Sequence, residues 1–178
     1  MAEFLHARRD FDQLLAVVAN DRGLHPMLVE KDYWIMHGLW GLQAQGFVFE
    51  LKGGTSLSKG FGVIHRFSED IDIRIEPPVD MDVKTGRNQD KPAHIASRLA
   101  YYDELAKRIS IPGIDSVERD TFFDDEKMRS AGIRLSSFTS NHHAATRMNP
   151  RSVLRRRPRA KQRKERKPLV KNSKIGGF

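Results

Sequence analysis

Two aspartates two residues apart, Asp70 and Asp72, carry the most pointed chemistry in this sequence. They lie in Asp70-Ile71-Asp72-Ile73-Arg74-Ile75, where charged and aliphatic residues alternate with a period of two, the mark of a half-buried strand. On such a strand Ile71, Ile73 and Ile75 face the core, and Asp70, Asp72 and Arg74 share the other face. Carboxylates placed this way sit roughly 6–7 Å apart at the backbone. Their side chains can converge on one divalent cation or clamp a pair of them. Mg²⁺ or Mn²⁺ takes such oxygens and leaves positions open for water and substrate phosphates. The competing reading is a solvent-exposed strand face, which is what most D-x-D triplets are.

A second group lies just upstream. Gly53-Gly54 follows an apolar run, Phe47-Val48-Phe49-Glu50-Leu51, that reads as a strand. Thr55 is placed to cap a short helix there, with Lys59 one turn in. Glycines at a strand-to-helix turn let backbone N–H groups approach an anion, and a helix start adds favourable partial charge. The pattern is not a P-loop: Ser58 precedes Lys59 and Gly60 follows it, whereas that motif needs Gly before the Lys and Ser/Thr after it. Lys59 either serves a phosphate or pairs with Glu69. Arg66 and Ser68 either touch substrate or orient their loop. Glu118, Asp120, Asp124 and Asp125 either supply a third carboxylate or form a solvated turn, and the turn is favoured. His142-His143 has no partner ligands nearby in sequence and reads as incidental.

The elements that must position these residues follow from periodicity. Asp10 with Gln13 three residues on makes a capping-box pattern, and Phe11, Leu14, Leu15 and Val18 form a helical stripe. Gly23 ends that helix, and Pro26 suits the first turn of another carrying Leu28, Ile35, Leu39 and Leu42. Glu30, Lys31 and Asp32 interrupt it and read as a solvated turn. Pro77-Pro78 stops the aspartate strand, and residues 79–91 read as a long surface loop or disordered flap. Pro92 opens a third helix with Ile95, Leu99, Tyr102, Ala106 and Ile109 on one face. Val117–Phe123 and Ile133–Leu135 read as short strands.

Composition bounds the answer. The 178 residues suit one domain, and the absence of cysteine rules out disulfides and thiolate metal sites. No run of about 18 apolar residues occurs and the N-terminus lacks a signal-peptide core, so a soluble, unexported, cytoplasmic protein is expected, with no membrane partner. The net charge of +8 is uneven: residues 147–178 hold 13 Lys/Arg against one acid, Glu165. The rest is mildly acidic. After Leu135 apolar residues lose all period, so residues 136–178 read as a basic, unstructured tail following a domain of residues 1–135. That tail is either an arm for nucleic acid or sequence outside the fold, as a truncated or shifted reading frame would give.

Gly53-Gly54-Thr55-Ser56-Leu57-Ser58-Lys59 followed by Arg66-Phe67-Ser68-Glu69-Asp70-Ile71-Asp72 resembles the two leading motifs of the AbiEii/AbiGii toxin family. Val29-Glu30-Lys31-Asp32-Tyr33-Trp34 resembles the stretch that precedes them, and the likeness runs through about the first three-quarters of the chain. The resemblance implies an α+β, polymerase-β-like nucleotidyltransferase core, incomplete after Leu135. It implies Gly53, Gly54, Thr55, Ser56, Lys59, Arg66 and Ser68 as nucleotide contacts, with Asp70 and Asp72 holding Mg²⁺. The family moves a nucleoside monophosphate from a nucleoside triphosphate to an acceptor, tRNA among those implicated. It works in abortive infection beside an antitoxin that is usually a transcriptional regulator. The site offers no third carboxylate after Leu135, so binding without transfer is expected of this chain. The alternative is a non-enzymatic nucleic-acid-binding protein acting through its basic tail.

Overall fold

The computed structural model describes residues 3–62, 70–138 and 143–150, with the backbone alone at 138, 143–147, 149 and 150. A short 3-10 turn, Leu5–Ala7, leads into α1 (Phe11–Arg22) and α2 (Pro26–Ala44). Then come β1 (Phe49–Leu51), the single turn α3 (Gly53–Thr55) and a π turn over Ser56–Gly60. The chain continues through β2 (Asp70–Ile75), α4 (Pro92–Arg108), β3 (Ser116–Asp120), β4 (Gly132–Phe138) and β5 (His143–Pro150). The strands form one sheet in the order β1-β2-β5-β4-β3. β5 runs parallel to β2 and antiparallel to β4, and the other pairings are antiparallel. This is an α+β arrangement in which α2 and α4 pack on one sheet face.

The alternation read from the sequence sets that face. Ile71, Ile73 and Ile75 are fully buried, and Ile71 pairs in register with Met148, which pairs with Ile133. Ile35, Leu39 and Leu42 of α2 and Tyr101, Tyr102 and Leu105 of α4 belong to the same cluster. Burying each aliphatic side chain contributes roughly 1.5–3 kcal/mol. α2 lies tight on its neighbours because two of its residues are glycine. A Cβ at Gly38 would meet Leu135 and Ile71, and one at Gly41 would fall 2.5 Å from Ile111.

Several expectations need correction. Residues 136–138 and 143–150 are not tail: β4 runs to Phe138, and β5 occupies the middle of the sheet. His143 opens that strand, while His142 and residues 151–178 lie outside the described residues. Asp10 makes no capping bond, because its carboxylate takes the Arg8 guanidinium instead, at 2.8 and 2.7 Å. Val18, Leu28 and Leu99 are exposed rather than core, and the buried face of α4 is Arg98, Tyr101, Tyr102, Leu105 and Ala106.

Arg98 also explains why residues 79–91 are neither loose nor a flap. Its guanidinium is fully buried and donates to the carbonyls of Lys84 (2.6 Å), Gln89 (2.9 Å) and Lys127 (2.9 and 2.6 Å). Asp90 adds ion pairs to Lys127 and Arg129, which hold its carboxyl down at about 2. A buried cation with its donors satisfied by backbone carbonyls ties a loop down with the force a core side chain would supply. Among the described residues no helix is long and apolar enough to cross a membrane.

Candidate nucleotide site

The site is built where β1 turns into α3 against the first residues of β2. Lys52, the residue before the turn, donates its backbone N–H to the Asp72 carbonyl at 2.7 Å. Gly53 then takes φ +62°, a left-handed conformation that a side chain disfavours. A Cβ there would stand 2.5 Å from Asp72 Oδ2, so the glycine backbone lies directly against the carboxylate. Thr55 is buried, and its hydroxyl donates to the Asp70 carbonyl at 2.9 Å. The turn is thereby bonded to the backbone of both aspartates.

That arrangement corrects one detail. Thr55 does not cap the turn; Lys52 holds the cap position, and the Thr55 hydroxyl is committed to β2. A buried hydroxyl needs a partner, and the Asp70 carbonyl is the one within reach. What the turn can offer an anion is therefore backbone N–H groups. Ser56 opens the π turn that carries Lys59, and the Phe61 N–H closes it onto the Ser56 carbonyl at 3.1 Å. Arg66, Ser68 and Glu69 lie outside the described residues.

Lys59 is held by a residue far away in sequence. Its ammonium donates to Asp32 Oδ2 of α2 at 2.5 Å, and both side chains are about three-quarters covered. Glu30, two residues earlier, is buried and accepts from the Trp34 indole at 3.4 Å. The charged triplet in α2 is therefore not a solvated turn. It was visible as an interruption in an apolar helix, but its partners were not. A second group missed from sequence lies beside Asp72 on the open face. Glu50 accepts from Lys52 (2.7 Å) and Arg74 (3.4 Å), and these cations hold its carboxyl below the usual range, Lys52 foremost.

Asp70 is exposed and Asp72 half-buried, both on the strand face opposite the buried isoleucines. Two hard carboxylates on one strand, beside a glycine that leaves room at Asp72, fit a divalent cation whose remaining positions go to water and phosphate. β5 adds no acid opposite the pair: register sets Asp70 against Arg147 and Asp72 against Asn149. Among the described residues no three His, Cys, Asp or Glu side chains gather to hold a metal. The acidic cluster after Val117 is no substitute. It begins on β3, three strands from β2 and thus roughly 14 Å away. Asp120 accepts from Arg134 and Asp124 from Arg119, at 2.9 and 2.7 Å. A concavity of about 620 Å³ lined by Phe47, Val48, Pro77, Pro78 and Arg108 includes none of the site residues.

No curated protein and no solved structure matches this chain. A family model does, over residues 39–157, and its description is "Nucleotidyl transferase AbiEii toxin, Type IV TA system". The matched span contains the glycine turn, Lys59, both aspartates and all five strands, and it runs past Leu135 through β5. Val29–Trp34 precedes it. Glycine turn, aspartate strand and matched span agree: the chain belongs to the AbiEii nucleotidyl transferase toxin family.

Proposed function

We propose that this chain is the nucleotidyltransferase toxin of a toxin–antitoxin pair, with a polymerase-β-like core that binds a nucleoside triphosphate together with Mg²⁺ in the cytoplasm. The reaction read from its family is transfer of a nucleoside monophosphate to an acceptor hydroxyl, with tRNA as the acceptor to test first. Asp70 and Asp72 would hold the cation, which when bound neutralises phosphate charge and polarises the transferred group. The backbone N–H groups of Gly53–Thr55 would donate to the outer phosphates, since the two glycines carry no side chain and the Thr55 hydroxyl is turned to β2. Lys59 adds positive charge at the same end. The antitoxin is read as the protein that restrains this activity, and a transcriptional regulator is the kind of partner to look for.

The observation that carries this reading is the seating of the Gly53 turn against the Asp72 carboxylate, with the Lys52 N–H on the Asp72 carbonyl. Anion cradle and cation ligand are thereby made neighbours by the backbone. The test is binding of each labelled nucleoside triphosphate with and without Mg²⁺, followed by incubation with total tRNA. Mg²⁺-dependent binding that disappears in Asp72→Asn is expected. Equal binding in that variant would reject the site.

A further inference from the structure

Lys59 is the cation that follows the glycine turn, and Asp32 holds it. A free lysine side chain has many rotamers, and part of that freedom is lost whenever it is fixed on a phosphate. Here Lys59 is already fixed by Asp32, 27 residues earlier on α2, through a 2.5 Å charge-assisted bond. The pair is sheltered, at 28% and 23% exposure, so solvent screens it less than a surface ion pair. The carboxylate gives its Oδ2 to this bond. The other oxygen, Oδ1, is inaccessible and has no hydrogen-bond partner among the described residues. A buried carboxylate oxygen left in that state is costly, and a surface ion pair that merely joined two elements would not need it.

We propose that Asp32 is a positioning residue: it pre-orients Lys59 toward the phosphates of a bound nucleoside triphosphate. The inference rests on the nucleotide-binding reading above and adds to it a residue outside the two motifs and outside the matched span. Asp32 acts through Lys59 alone. Its effect therefore falls on ligands that carry outer phosphates and is absent for a nucleoside monophosphate. A carboxylate that only stapled α2 to the π turn would act on both ligands alike, through stability.

The test is a double-mutant cycle on the full chain, with affinities for ATP, GTP, CTP and UTP and their monophosphates measured in Mg²⁺. Asp32→Asn is expected to weaken triphosphate binding about tenfold, the size of coupling seen between contacting residues. Monophosphate binding should stay unchanged. In a Lys59→Met background the same change should do nothing further, and Asp32→Glu, which keeps the carboxylate, should recover most of the loss. Thermal melts of every variant separate folding from binding. Undiminished triphosphate affinity in Asp32→Asn, or an equal loss in the Lys59→Met background, overturns the inference while leaving the site intact. Wild-type protein that binds no triphosphate, or Asp72→Asn that binds as well as wild type, overturns the nucleotide reading and this inference with it.

Discussion

Gly53 and Asp72 share one space: the glycine, at φ +62°, occupies ground where a single added methyl would stand 2.5 Å from the Asp72 carboxylate oxygen. Gly53→Ala must therefore both strain the backbone and push the carboxylate aside. The left-handed conformation alone costs a side chain roughly 1–2 kcal/mol. We expect a lower melting temperature and loss of Mg²⁺–triphosphate binding in the same variant, read by thermal melts with and without ligand. A variant that binds normally would show that Asp72 has freedom to move away.

Metal and nucleotide together should stabilise the wild-type chain. At 100 times the dissociation constant the gain is roughly 2.7 kcal/mol. Asp72→Asn should lose that gain yet be no less stable without ligand, because it removes repulsion between two like charges on one strand face. Differential scanning fluorimetry across a ligand titration reads both quantities at once.

Turnover is expected to lag far behind binding. The register opposite Asp70 and Asp72 offers Arg147 and Asn149 where a further carboxylate would complete a two-cation site. Misplacement of the reacting groups by about 1 Å can cost on the order of 10²-fold in rate. Label transferred to tRNA should thus accumulate slowly, only slightly above an Asp72→Asn control. Transfer well above that control and dependent on both aspartates would show that another acid joins the site.

Arg98→Met should unfold the region it organises. Removing the guanidinium takes the donor from the carbonyls of Lys84, Gln89 and Lys127, three acceptors at once. Hydrogen bonds to a charged group contribute about 1.5–3 kcal/mol each. Hydrogen exchange should rise over residues 79–91 and 124–130 before it rises in β2.

His6 supplies a pH dependence whose sign is fixed. Burial, and then the neighbouring His37, pushes its pKa below 6.5. Its Nδ1 shares a 2.7 Å bond with the Tyr33 hydroxyl. Above pH 6.5 the ring is neutral in both folded and unfolded chains, so it contributes no slope. As pH falls through 6.5 the unfolded chain takes the proton first, and stability declines until the pH passes below the folded value. His6→Gln should flatten that decline in urea midpoints measured from pH 8 to 5. An unchanged slope would place the dependence elsewhere.

The parts of this fold legible in sequence are those where one residue type alternates with another. β2 reads directly from Asp70–Ile75, because three isoleucines line one face. β5 does not read at all. The alternate positions Ala144, Thr146, Met148 and Pro150 hold a single large apolar side chain, so the strand shows no period even though it lies between β2 and β4. Arg98 and Leu99 swap the roles that hydrophobicity assigns them, since carbonyls from two distant loops give the arginine its partners. The site was legible in its local half, the glycine turn and the aspartates. Asp32 was not, because the bond to Lys59 spans 27 residues and no pattern within α2 announces it.

The place of β5 governs how the chain can be made. Ile71 finds its neighbour Met148 only 77 positions later, so a ribosome releases β1–β2 and β3–β4 as two separate ribbons. Each has an edge that only the later strand will cover, and such edges invite association with other chains. Closure across so long an interval is slow compared with forming helices. Nascent chains halted before residue 143 should be captured by chaperones as two unsealed halves, and release of the next few residues should bring protease resistance to both at once.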